Sequence, residues 1–294
     1  MHLEDRMIFT ELFKTGKPLI ACVHLMPLPG SPHYSGSMRK VYDTALSEIE
    51  IFKRYQIDGL MIENFRDKPF YPNRIPAETI SALAALTREA VKAFNGPVGV
   101  NALRNDAQAA VAIATATEAH FIRVNIHMNA VVSEQGIIEG ASHETLRLRA
   151  ALRSNVLIFA DVGVKHAAPL GYRGLAVETK DLAEHGLVDA IIVSGELTGS
   201  ETNPDDVDIV RRNTELPIII GSGATPENLS KVFSKVDGLI VGSYFKKAGK
   251  GGNFVEEERV RAFTDAMAYL KITSFRRSQS QEHNSAHERA RHEG

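Results

Sequence analysis

The sequence has no tryptophan and a single cysteine, Cys22. One cysteine excludes an intrachain disulfide and suits a reducing compartment, so a cytoplasmic protein is expected. No Cys-x-x-Cys pair, zinc-peptidase helix or glycine-rich dinucleotide fingerprint occurs. Charge of one sign is also lacking: 34 Lys and Arg stand against 36 Asp and Glu, a formal net charge of −2. That balance gives no basic field for nucleic acid. No run approaches the ~20 apolar residues of a membrane span, so integral insertion is not expected. The first residues carry charge where an export signal would carry an apolar core.

What remains is ordinary globular material, 44% hydrophobic and 24% charged, in 294 residues. Its patterning is regular. Short runs rich in Val and Ile occupy 18–24, 58–64, 97–101, 120–125, 156–162, 189–194, 217–222 and 237–243. They are too short for helices and read as buried strands. Amphipathic helical patterns lie between them at 38–55, 78–94, 106–118, 142–154, 177–185, 205–214, 226–233 and 256–270. Strict alternation implies parallel strands joined by crossover helices. Eight such units in roughly 250 residues predict an α/β fold, a single closed (β/α)8 TIM barrel. No hairpin signal or linker interrupts the series. The barrel domain is placed at 1–272. Residues 273–294 hold one large apolar residue, Phe275, and are expected to form a disordered polar tail.

Barrel active sites lie at the C-terminal ends of the strands. Reading those ends in order gives His24, then Glu63 and Asn64, Asn101, Asn125 with His127 beyond, Asp161 followed by Lys165 and His166, and Ser194. Period-two alternation turns Arg123, Asn125 and His127 toward the barrel axis. A buried Arg123 needs an acid or a phosphate. Asp161 is therefore either an ion-pair partner of Arg123 or Lys165, or a catalytic carboxylate. In the catalytic reading Glu63 and Asp161 share acid–base work beside His24. Asn101 and Asn125 orient hydroxyls, Arg123 balances negative charge, and Lys165 or His166 supplies a proton.

The segment from Gly221, Ser222 and Gly223 to Thr225 and Pro226 suits phosphate: glycines expose amides, and Thr225 could cap a helix starting at Pro226. Gly242 and Ser243 end the last strand beside it, and Lys246 could clamp the anion. Ser194 and Thr198 could close the same pocket. His24, Glu63, Asp161 and His127 could together hold a divalent ion. Their spacing matches no metal motif, so a metal-free hydrogen-bonded network is expected, with no cofactor. The partner is expected to be a small phosphorylated metabolite, and the protein a homo-oligomer.

These residues are similar to a known group. His24-Leu25-Met26-Pro27-Leu28-Pro29-Gly30-Ser31-Pro32, Glu63-Asn64-Phe65, Arg123-Val124-Asn125, Gln135-Gly136-Ile137-Ile138-Glu139-Gly140, Ala160-Asp161-Val162, Val193-Ser194-Gly195, Gly221-Ser222-Gly223 and Ile240-Val241-Gly242-Ser243 run in order along the chain. Together they resemble the BtpA family, also called BtpA/SgcQ. The resemblance implies a ribulose-phosphate-binding type of barrel. It also implies one of two roles. One is an enzyme acting on a phosphorylated sugar or nucleoside-like metabolite, of lyase, isomerase or nucleosidase type. The other is a non-enzymatic assembly factor, as in photosystem I biogenesis, with peripheral membrane contact.

Overall fold

The computed structural model describes residues 8–164, 167–195 and 201–273. Eight strands close into one parallel barrel: β1 (Leu19–His24), β2 (Gly59–Glu63), β3 (Val98–Asn101), β4 (Phe121–Val124), β7 (Leu157–Val162), β9 (Ala190–Val193), β10 (Ile218–Ile220) and β11 (Gly238–Val241). Each lies inside a run expected from the sequence. The gaps in numbering are filled by β5 (Ala130–Ser133), β6 (Gly136–Glu139) and β8 (Ala167–Pro169), an antiparallel sheet in the order β6-β5-β8. The expectation of an uninterrupted series is therefore corrected: a hairpin stands between β4 and the next helix. Its two strands meet at Gly136, whose φ of +92° only glycine adopts without strain.

The long helices form where apolar residues recur on one face. In α2 (Met38–Arg54), Val41, Ala45, Ile49 and Phe52 are buried, and Ser37 caps the start by accepting from the Lys40 amide. α3 (Ala77–Ala93), α4 (Ala107–Thr117), α5 (Ser142–Ala151), α6 (Leu175–Glu184) and α7 (Pro204–Arg211) follow their strands. The expected helix at 226–233 shrinks to α8 (Leu229–Val232). Asn228 explains this: its side-chain oxygen accepts from the Thr225 amide and its nitrogen donates to the Gly223 carbonyl, fastening 223–228 as a loop. Thr225 therefore caps no helix at Pro226. A last helix, α9, spans 257–273.

Alternation divides each strand. Outward residues such as Val23, Ile62 and Ile122 pack beneath the helices. Inward residues make a second core of Ile20, Cys22, Met61, Phe121, Phe159, Ile192 and Ile240. A short helix, α1 (Phe9–Leu12), sits across the N-terminal end of the barrel. Phe9 and Phe13 reach in against Phe159 and Phe121 at ring separations of 5.7 and 5.9 Å. The barrel is thus apolar below and closed at its floor. The next inward residue of each strand is polar or glycine, and those residues form the upper layer.

Candidate functional site

That upper layer brings His24, Glu63, Asn101, Arg123, Asn125, Asp161 and Ser194 into one set linked by hydrogen bonds and close charged contacts, all buried. Arg123 is its centre. Its Nε and Nη2 donate to the two oxygens of Asp161 at 2.8 and 2.7 Å, and its Nη1 lies 4.0 Å from Glu63 Oε1. Burial opposes the guanidinium charge, but Asp161 and then Glu63 outweigh it, so its proton is held more tightly than in an ordinary arginine. Asp161 also accepts from Asn125 Nδ2 at 3.1 Å and Ser194 Oγ at 3.1 Å. Four donors fill the acceptor capacity of this carboxylate. Glu63 is differently placed. Asn101 donates to its Oε1 at 3.0 Å, while Oε2 faces His24 Nε2 at 3.5 Å. Asn125 Oδ1 is buried with no donor.

Two cavities of about 220 Å³ each flank the Arg123–Asp161 pair. The first is lined on one side by His24, Glu63 and Arg123, and on the other by Gly221, Ser222, Gly223, Gly242 and Ser243. The two glycine-bearing strand ends therefore share one cavity. Gly221 is required there: a Cβ would lie 2.6 Å from Ser194 Oγ and 3.1 Å from Arg123 Nη2. Ser222 Oγ accepts from the Gly195 amide at 3.2 Å, which ties the loop after β9 to the cup. The second cavity is lined by Asn125, Asp161, Met128, Val131 and Tyr172, and lies under the β6-β5-β8 sheet.

Several expected residues stand elsewhere. Lys246 does not line the glycine cup. It is fully buried, with Nζ donating to Glu48 Oε2 on α2 at 3.1 Å and to the Cys22 carbonyl at 2.9 Å. Burial pushes its ammonium down in proton affinity, and Glu48 offsets only part of this. Asn64 is taken up by the loops: its Oδ1 accepts from the Leu103 amide at 2.7 Å, and its Nδ2 donates to the Leu103 carbonyl and to Asp67. His127 turns from the axis, because β4 ends at Val124 and alternation ends with it; its Nε2 donates to the Gly186 carbonyl at 2.9 Å. Lys165, His166 and Thr198, and the tail after residue 273, lie outside the described residues.

Two arginines were not expected. Arg259, on α9, lines the cup and stacks its guanidinium 4.2 Å over the Tyr244 ring. In the sequence it sits in the charged run 256–261, where nothing sets it apart. Arg104, in the loop after β3, is buried; burial lowers its proton affinity while Asp161 raises it. His24 carries a further contact: Nδ1 lies 2.8 Å from the Gly251 carbonyl, and its ring stacks on Phe65 at 4.0 Å.

A model of the BtpA family matches residues 15–269. The photosystem I biogenesis protein BtpA of Synechocystis is 40% identical over 259 residues, 88% of this chain and 90% of that one. A protein of Pyrococcus abyssi is 38% identical over 255 residues, 87% of this chain and 97% of its own. Among solved structures, phosphoribosyl anthranilate isomerase of Thermus thermophilus has a TM-score of 0.56 at 12% identity, covering 86% of this chain and 99% of that one. At that identity the likeness is one of fold, a TIM barrel.

Proposed function

The chain belongs to the BtpA family, and we propose that it is an enzyme that binds a phosphorylated sugar or nucleoside-like metabolite at the C-terminal mouth of the barrel. The supporting observation is the single cavity that joins the strand ends at Gly221–Gly223 and Gly242–Ser243, with Arg259 at its edge and His24, Glu63 and Arg123 at its base. Backbone amides at glycines accept close approach by an anion, and Arg259 adds charge. A phosphate in the cup sets the body of the metabolite over the polar layer. Glu63 and His24 are then the groups suited to move a proton. Arg123 offsets negative charge that develops, and Asp161 holds Arg123 in place. Asn125 Oδ1, a buried acceptor without a donor, would take an N–H or O–H of the ligand in the second cavity.

The test is calorimetric titration with sugar phosphates and nucleoside monophosphates against their unphosphorylated counterparts. Binding should require the phosphate. Arg259→Met should weaken it by roughly 10–100-fold, the worth of one charged hydrogen bond. Equal binding of phosphorylated and unphosphorylated compounds would reject the reading.

A second reading, an assembly factor, has one observation in its favour. Val132 and Ile137, a cross-strand pair of the hairpin, and Leu170 beyond β8 are exposed. Ile137→Lys should break partner binding on that reading and leave phosphate binding unchanged.

A further inference from the structure

Cys22, His24 and Glu63 form a close group at the base of the glycine cup, and the phosphate reading gives Cys22 no part. Cys22 and His24 are two residues apart on β1 and face inward together; Glu63 is directly opposite His24 in the register of β2. One donor atom from each lies within 4.8 Å of the others, and all three residues are buried. We propose that these three side chains bind a divalent metal ion of borderline softness, Zn2+ in the first instance, at the base of the glycine cup. The proposal goes beyond the phosphate reading and does not rest on it.

The geometry of His24 carries the argument. A carbonyl oxygen can only accept, so the Nδ1 facing Gly251 bears the ring hydrogen. Nε2, the atom left for a metal, faces Glu63 Oε2 at 3.5 Å. A cation placed between the two atoms can join them at that distance. Tetrahedral ligands about 2.1 Å from an ion stand roughly 3.4 Å apart, close to this separation. Metal-binding histidines characteristically spend the other ring nitrogen on a carbonyl or carboxylate, as His24 does. Glu63 is divided in the same sense: Oε1 is used by Asn101 and Oε2 faces the imidazole. Gly242 keeps the space open, since a Cβ there would stand 2.9 Å from His24 Nε2.

Cys22 supplies the third ligand after a shift of about 1 Å, losing its thiol proton to solvent as the metal–sulfur bond forms. The ligand set is one thiolate, one imidazole and one carboxylate, which suits zinc better than magnesium or calcium. Three protein ligands leave a fourth position, and the cavity lies on that side. A water bound there would lie in the cavity that also presents the glycine cup, where a Lewis acid or metal-bound hydroxide could reach a phosphorylated substrate.

The test uses Co2+ as the probe on full-length protein stripped with a chelator. Cobalt bound by a thiolate shows a sulfur-to-metal charge-transfer band in the near ultraviolet. Cys22 is the chain's single cysteine, so that band can come from no other residue, whatever the tail histidines bind. The expected result is one Co2+ per chain with the band present. Cys22→Ser should abolish the band, and His24→Asn should weaken binding at least tenfold, with circular dichroism confirming the fold of each variant. If either variant does not fold, displacement of the band in the unaltered protein by stoichiometric Zn2+ decides. Absence of the band, or a band that zinc does not displace, overturns the proposal. The titration contains no phosphate compound, and the phosphate titration contains chelator, so each reading can fail alone.

Discussion

Arg123 can place its charge only between Asp161 and Glu63, and the upper layer is arranged around that fact. His127, one strand-length further on, shows the opposite case, a ring buried without charge. Burial lowers its proton affinity below the ordinary 6.5, and the Gly186 carbonyl offsets only part of this. Its Nδ1 is buried with no partner, so a second proton would find no acceptor. Below about pH 6.5 the unfolded chain binds a proton at this position that the folded chain refuses. Stability contributed by His127 is therefore complete above the unfolded value and is lost as pH falls through it. The loss is at most about 1.4 kcal/mol per pH unit for one such group. Urea melts at about pH 7.5 and about pH 5.5 should show it. His127→Gln should reduce the difference; an unchanged difference would assign it elsewhere, His120 being the next group lowered by burial. Sequence reasoning reached most of the polar layer, because alternation along a barrel strand fixes which side chains face inward. It missed where alternation stops. Lys246 and His127 both lie past strand ends, where a loop, not a pleat, sets direction. Arg259 comes from a helix distant in sequence, and no local pattern carries that information.

Most helix starts fall within two residues of their expected positions, and Asp106 shows what fixes one of them. Its Oδ1 accepts from the Ala109 amide and caps α4, while its Oδ2 accepts from the Ile75 amide, both at 2.9 Å. One carboxylate therefore joins the start of α4 to the loop before α3. Asp106→Ala should cost about 2–4 kcal/mol: about 1 for the cap and about 1–3 for a buried amide left without an acceptor. Chemical denaturation of the variant measures it, and a loss under about 1 kcal/mol would mean that water replaces the carboxylate. Elements held by such caps or by a clear apolar stripe were legible. The β5–β6 hairpin was not, since its Glu134-Gln135 turn lacks the Asn-Gly or Asp-Gly signal and its strands are four residues each. α8 was overestimated for a related reason: Pro226 promises a helix start, and the Asn228 side chain redirects the backbone before one forms.

At the scale of the whole molecule, the two ends of the barrel are built for separate tasks. The floor is aromatic, with Phe13 against Phe121 and Phe9 against Phe159. The mouth is polar. Phe13→Ala should cost about 3–5 kcal/mol, as for a large side chain removed from a packed core. Phosphate affinity of the folded variant should stay within about twofold, since only mouth residues line the cup. Paired melting and titration experiments check this; a parallel fall in affinity would mean that the two ends are coupled. The eightfold count and the parallel order were legible because strict alternation of short apolar runs and helices has few closed solutions. The closure of the floor has a kinetic consequence. If the cup holds a ligand as proposed, that ligand must depart through the opening by which it arrived. Whatever narrows that opening, such as the 247–253 segment tied down by Arg66 on Asn253 and by His24 on Gly251, slows entry and exit by the same factor. Residence time of a ligand bound as proposed could then change many-fold with no change in equilibrium affinity.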